Sequence, residues 1–235
     1  MSYYHGPKIS TNGLLIFLDA ANPKCYPGSG TTLNNLVNDG YTSSFATASM
    51  ISTTWSNNEL KFDGSNDTVR FALKSTEFFP YVTSSITLEA WVKTPSMGPA
   101  QTVGGIWALS YGGNVYINPD GSITTYFTNM GFPASGYGYC FSTGINIFSG
   151  AWRHICLTNN GFKSTLFIDG RFNNSADVFW SGMMLYDNDF LLGRNLNDAP
   201  YYYSGSISIA RVYNRALTPN EVAENYNASK NRFGL

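Results

Sequence analysis

Apolar and polar residues alternate over short stretches of this chain, and Gly, Pro, Asn and Asp separate those stretches. The clearest stretch is "SITLEAWVKT". Side chains along a strand alternate between faces, so Ile86, Leu88, Ala90 and Val92 share one side and Thr87, Glu89, Trp91 and Lys93 the other. Trp91 on the second side predicts that this side is also partly covered, as in stacked layers. "GLLIFLDAANP" reads as a buried strand stopping at Asn22-Pro23, and "KCYPGSGTTLNNLVNDG" as a turn-rich loop. "ELKFDG" and "DTVRFAL" are short strands around the "FDGSND" turn. "VGGIWALSY", "NVYINP", "SITTYFT", "YGYCFST", "FLLGRN" and "GSISIARVYN" supply more strands. "WRHICLTNNGFKSTLFIDGRF" reads as a hairpin turning near Asn159-Asn160-Gly161, with buried Trp152, Ile155 or Leu157, and Leu166. Asp169-Gly170 forms the turn after its second strand. This gives about twelve to fourteen short strands, the pattern of an all-β antiparallel jelly-roll sandwich.

The period changes once, at the end. Thr218 suits an N-cap, Pro219 the first helical position, and Glu221 completes a capping box. Leu217 and Val222 are spaced as a hydrophobic staple, and Val222 and Tyr226 share a face. The spacing predicts one short helix over 219–229, packed by a stripe against the sheets. The chain thus divides into an N-terminal arm (1–12), a jelly-roll domain (13–216), and a C-terminal helix and tail (217–235).

Composition supports strands over helices. Only 12% of residues are charged and 16% are aromatic, with 43% hydrophobic content to fill a core. The net charge is −1 and no basic run follows a phosphate backbone, which argues against nucleic acid. The longest apolar run, Leu14 to Leu18, is too short to span a bilayer, and "MSYYHGPKIS" has no secretory pattern. The three cysteines, Cys25, Cys140 and Cys156, read as buried thiols. Asn66, Asn173 and Asn227 head sequons that carry no meaning without a secretion signal.

Candidate chemistry is sparse. There is no Gly-x-Ser-x-Gly elbow and no phosphate-binding loop. His154 lies inside a strand, in a hydrogen-bonded structural role, and His5 has no evident partner. Sugar binding needs an aromatic platform with amide or carboxylate groups. Tyr201, Tyr202 and Tyr203 follow Asn195, Asn197 and Asp198, and "SYGGNVY" and "SGYGYCF" offer further rings. Sugar contact, protein contact and plain packing all remain open for the tyrosine run. Tyr3, Tyr4 and His5 in the arm are candidates for an anchor that orders on a partner.

Several stretches together resemble a known family. "SGAWRHICLTNNGFKSTLFIDGRF" resembles the central hairpin of laminin G-like, concanavalin A-like domains, through Gly150, Trp152, His154, Ile155, Thr158, Leu166, Ile168, Asp169 and Gly170. "LKFDGSNDTVRF" looks like the family's Phe-Asp-Gly turn, and "YSGSISIARVYNRALTPNEV" like its last strand and helix. "GLLIFLDAANPKCYPGSG" and "NYNASKNRFGL" resemble the versions found in virion structural proteins of tailed phages, notably marine ones. Many members carry an acidic pair in the last strand where this chain has Ser208 and Ile209.

The resemblance implies a non-enzymatic virion structural protein, a capsid decoration or fibre-associated subunit that presents a lectin-like domain. It implies other virion proteins as partners and the phage particle as location, after synthesis in the host cytoplasm. A homo-oligomer fits that setting. The alternative is a carbohydrate-binding module for host surface polysaccharide. A glycan-cleaving enzyme is weaker still, because the Glu-x-Asp-x-x-Glu strand of laminarinase-like relatives is absent and Glu89 is the only acid in its strand. Calcium is the one cofactor the resemblance suggests. Asp63 and Asp67 are its candidate ligands, against a reading in which they simply shape the turn.

Overall fold

A computed structural model describes residues 8–37, 46–74, 85–95, 104–109, 113–129, 136–177, 189–194 and 201–235. Among them run sixteen strands. In chain order they are β1 (Leu14–Asp19), β2 (Thr32–Asn34), β3 (Thr47–Ile51), β4 (Thr54–Ser56), β5 (Glu59–Asp63), β6 (Thr68–Lys74), β7 (Ile86–Lys93) and β8 (Gly104–Leu109). There follow β9 (Gly113–Ile117), β10 (Ile123–Asn129), β11 (Gly136–Phe141), β12 (Trp152–Asn159), β13 (Lys163–Ile168), β14 (Arg171–Asp177), β15 (Asp189–Leu192) and β16 (Ser204–Tyr213). The count exceeds the sequence expectation partly because three-residue strands such as β2 and β4 are too short to show a period.

The strands form two antiparallel sheets. Sheet A has the order β14-β13-β12-β7-β16-β5-β4, with β1 also paired to β16. Sheet B has the order β11-β10-β9-β8-β15-β6-β3-β2. Their facing sides share one core, in which Leu88, Val92, Leu157, Leu166, Ile207 and Val212 from sheet A meet Phe71, Trp107, Val115 and Phe127 from sheet B. The predicted alternation of β7 holds, and both of its faces are buried.

The second face of β7 is covered by the chain's end. Helix α1 (Pro219–Ser229) starts at Thr218, whose hydroxyl accepts from Glu221 N–H while the Glu221 carboxylate returns to the Thr218 backbone. Leu217 and Val222 are both buried and join Leu14, Cys156, Phe167 and Tyr213 in a second apolar cluster. A short 3-10 turn (Lys230–Phe233) continues the helix. Its Phe233 stacks on Trp91 at 4.2 Å, and Tyr226 stacks on the same indole at 5.6 Å. Residues 8–12, counted with the arm from sequence, also lie on this layer. Ser10 N–H donates to Asn225 Oδ1 at 2.8 Å, the Tyr213 hydroxyl donates to the Ser10 carbonyl at 3.1 Å, and Ile9 packs on the second cluster.

The hairpin of β12 and β13 turns through Asn160, Gly161 and Phe162, with positive φ only at Gly161. Between β13 and β14, Asp169 and Gly170 both take positive φ, 51° and 71°, as a two-residue turn of matching twist requires. Ile155, Leu157 and Leu166 are buried as expected. Trp152 is not. It is half-buried, because it ends the outer row of sheet A, where Phe233 at 4.8 Å covers only part of the ring.

Candidate functional site

The tyrosine run divides by burial. Tyr203 is fully buried, with its hydroxyl within 3.3 Å of Thr94 Oγ1 and the carbonyls of Lys93 and Ser206. Burial pushes its phenol well up, and Tyr203 packs on Phe62 inside the core. It is therefore a packing residue, which corrects the contact role considered for it. Tyr202 is half-buried beneath the Arg194 guanidinium, 5.3 Å from the ring centre, and Tyr201 is half-buried with its carbonyl accepting from Gly105 N–H. Asn195, Asn197 and Asp198, and likewise Tyr3, Tyr4 and His5, lie outside the described residues.

The candidate calcium ligands serve their own turn. Asp67 Oδ2 accepts from Asp63 N–H at 2.7 Å, and Asp63 Oδ1 accepts from Ser65 N–H at 2.8 Å. Asp67 is 5% exposed, and its burial raises its carboxyl pKa. No group of three or more His, Cys, Asp or Glu side chains suited to a metal occurs among the described residues. The turn-shaping reading accounts for both carboxylates.

His154 does have a hydrogen-bonded place, and it leads to a residue that sequence reasoning left aside. Its Nε2 lies 3.0 Å from Glu89 Oε1, on the face of sheet A beneath α1. Glu89 also pairs with Arg211 from β16, and its Oε2 accepts from Asn225 Nδ2 at 2.7 Å. All four side chains are at most 2% exposed. Burial alone would raise the Glu89 carboxyl, but Arg211, His154 and Asn225 outweigh it and lower the pKa to about 2. The charge is thus paired on three sides and ties β7, β12, β16 and α1 together. The available signal was a lone acid in β7 and a lone arginine in β16, each flanked by apolar residues, since a buried charge needs a partner.

Sheet B carries a different chemistry on its outer face. Val115, Ile117, Ile123 and Phe127 point into the core, so Asn114, Tyr116, Thr124 and Tyr126 point away. Register sets Tyr126 between Asn114 on β9 and Tyr139 on β11, and Thr124 between Tyr116 and Phe141. Four rings follow one another: Tyr116 to Tyr126 at 5.5 Å, Tyr126 to Tyr139 at 5.9 Å, and Tyr139 to Phe141 at 5.9 Å. Tyr116 and Tyr126 are nearly buried, whereas Tyr139 is 45% and Phe141 54% exposed. The last pair is stacked with 16° between the ring planes. At the inner end, both amide atoms of Asn114 are buried without a hydrogen-bond partner among the described residues. The stretches "SYGGNVY" and "SGYGYCF" supply three of the rings, and Tyr126 of "SITTYFT" is the one that sequence reasoning did not single out.

Residues 63–223 match the concanavalin A-like lectin/glucanases superfamily. The chain belongs to this superfamily. Its fold is also close to solved structures. The receptor-binding domain of botulinum neurotoxin C/D mosaic serotype superposes with a TM-score of 0.64 at 14% identity, over 91% of this chain and 51% of that one. The binding domain of botulinum neurotoxin DC, solved with rat synaptotagmin II, gives 0.65 at 10% identity, over 92% and 51%. A Trypanosoma rangeli sialidase in complex with 2,3-difluorosialic acid gives 0.64 at 16% identity, over 97% and 35%. The chain therefore spans about half the length of the toxin domains and about a third of the sialidase. At these identities the likeness concerns the fold alone. No curated protein matches the chain in sequence.

Proposed function

We propose that this domain binds carbohydrate without cleaving it, and that it does so as part of a tailed-phage virion. The observation that carries the sugar-binding half is the exposed, stacked pair Tyr139 and Phe141 at the end of the four-ring face. Sugar rings present C–H groups to aromatic faces, and such pairs bury apolar area at little cost in side-chain freedom. The superfamily, and neighbours that include a receptor-binding domain and a sialidase with a sialic-acid derivative, keep this reading within what the fold hosts. The virion half rests on the sequence resemblance at the two ends, with Tyr3, Tyr4 and His5 as the particle contact.

The test is affinity electrophoresis of the purified protein through host surface polysaccharides, for wild type, Tyr139→Ala, Phe141→Ala and the pair. Migration is retarded for wild type and restored in the double variant, with only a small fall in melting temperature because each ring is about half exposed. A double variant retarded like wild type removes the aromatic face from the reading. Release of reducing ends by repurified protein overturns the non-enzymatic part. Normal incorporation of a protein lacking residues 1–7 into particles overturns the anchor.

A further inference from the structure

Sheet A holds a second constellation, away from the aromatic face. Register aligns Lys61 on β5 with Ser206 on β16, Ser206 with Lys93 on β7, and Lys93 with Trp152 on β12. These four residues form one row across four adjacent strands. Glu59, two residues before Lys61 and so on the same face, reaches into the row. Its Oε1 accepts from Lys93 Nζ at 2.6 Å, and its Oε2 pairs with Lys61. Lys61 Nζ also donates to Ser206 Oγ at 3.2 Å, and Lys93 Nζ stands 4.9 Å over the Trp152 ring. A cleft of about 340 Å³ opens here, lined by Lys61, Lys93, Gly150, Ser204, Gly205 and Ser206 among others.

Three features set this row apart from an ordinary surface ion pair. First, two ammonium groups share one carboxylate, so the cleft keeps one positive charge in excess. Each ammonium has three N–H donors, and the described residues use two of those on Lys61 and one on Lys93. Second, the anion is held down and the cations stand up: the Glu59 side chain is 12% exposed, against 37% for Lys61 and 30% for Lys93. Third, the floor is fixed. The buried Tyr203 hydroxyl bonds the carbonyls of Lys93 and Ser206 from below. Gly205, at φ +146°, lets the strands close, since a Cβ there would meet the Lys93 carbonyl at 2.5 Å. Fixed donors around a small cleft lose little freedom when a ligand arrives.

Resting on the carbohydrate-binding reading, we infer that this cleft is a subsite for a sugar carboxylate, as in a uronic or sialic-type residue. The carboxylate bridges the two ammonium groups at Lys61 and Lys93, and the sugar ring lies toward the half-exposed Trp152. The cleft volume is at the low end of small-ligand sites, about 300–1,000 Å³, which suits one acidic residue of a longer glycan. Glu59 sets the strength of the site, because it neutralises one of the two positive charges.

The test compares trigalacturonate, neutral galactotriose and acetate by calorimetric titration, with the Trp152 indole N–H followed by NMR. Trigalacturonate is expected to bind about five-fold or more above galactotriose, and to shift the Trp152 signal. Lys61→Gln and Lys93→Gln each weaken it about five-fold, and Glu59→Gln, which frees both ammonium groups, strengthens it about five-fold. All three effects shrink as salt rises. A merely structural ion pair gives the opposite result for Glu59→Gln, namely weaker or unchanged binding together with lower stability, and that result overturns the inference. Acetate binding as tightly as trigalacturonate overturns it as well, since a bare anion site needs no sugar. If galactotriose or another neutral glycan binds through Tyr139 and Phe141 while trigalacturonate shows no preference, this inference fails and the carbohydrate-binding reading stands. If no glycan of any kind binds, both fail.

Discussion

Replacing Glu89 with Gln asks whether one buried charge fastens the terminal helix to the sandwich. The Glu89 carboxyl goes from an ordinary 4.5 down to about 2 in the fold, because Arg211, His154 and Asn225 outweigh the burial that opposes its charge. A group with a lowered folded pKa stabilises the fold fully above its unfolded value. That contribution disappears as the pH falls from about 4.5 toward about 2. At about 1.4 kcal/mol per pH unit, the gap corresponds to about 3 kcal/mol. A second route gives a similar figure. Glu89→Gln leaves the Arg211 guanidinium, 2% exposed, without its counter-charge. Removing one partner of a buried pair costs about 3–5 kcal/mol. The assay is urea denaturation followed by tryptophan fluorescence, at about pH 7 and about pH 3. It covers wild type, Glu89→Gln, Arg211→Met and the double variant. Glu89→Gln should lose about 3 kcal/mol near neutrality and distinctly less at about pH 3, where Glu89 of the unfolded chain is largely protonated while that of the folded chain still holds its charge. The double variant should lose less than the two single losses together, because it leaves no uncompensated charge. A loss under about 1 kcal/mol near neutrality, or an equal loss at both pH values, refutes the reasoning.

Other substitutions probe the remaining layers. Trp91→Ala should cost about 3–5 kcal/mol, since the ring is fully buried between the sheet and Phe233, whereas half-buried Trp152→Ala should cost clearly less in the same melts. Gly170→Ala should cost about 2 kcal/mol or more, because φ is +71° and the new Cβ would lie 2.8 Å from Tyr226 Cβ; an unchanged melting temperature would disprove the helix placement. Asp67→Ala should cost about 1–2 kcal/mol, equally with and without EDTA, if its carboxylate serves only the Asp63 N–H. A calcium-dependent difference would restore the metal reading. Asn114→Leu should stabilise the domain slightly by removing a buried amide that has no hydrogen-bond partner among the described residues; a clear fall in melting temperature would count against that reading.

The sequence alone determined whatever depends on neighbouring residues. The period of two in β7, the Asp169-Gly170 turn and the Thr218–Glu221 capping box are local chemistry, and each appears at its expected place. The superfamily was legible too, because the central hairpin and the terminal strand-helix unit carry recognisable residues at recognisable spacing. What the sequence could not give was which strands distant in the chain become neighbours. Lys61, Ser206, Lys93 and Trp152 stand far apart in the chain and meet only because β5, β16, β7 and β12 are adjacent in sheet A. Asn114, Tyr126 and Tyr139 line up only through the register of β9, β10 and β11. Tyr203 looked like Tyr201 and Tyr202 beside it, but the fold sets it in the core just ahead of β16. Glu89 looked like a solitary acid until α1 closed over it and supplied Asn225. Alternation fixes the side of a strand on which a residue stands. Only the pairing of distant strands decides what stands beside it, and binding chemistry depends on that second fact.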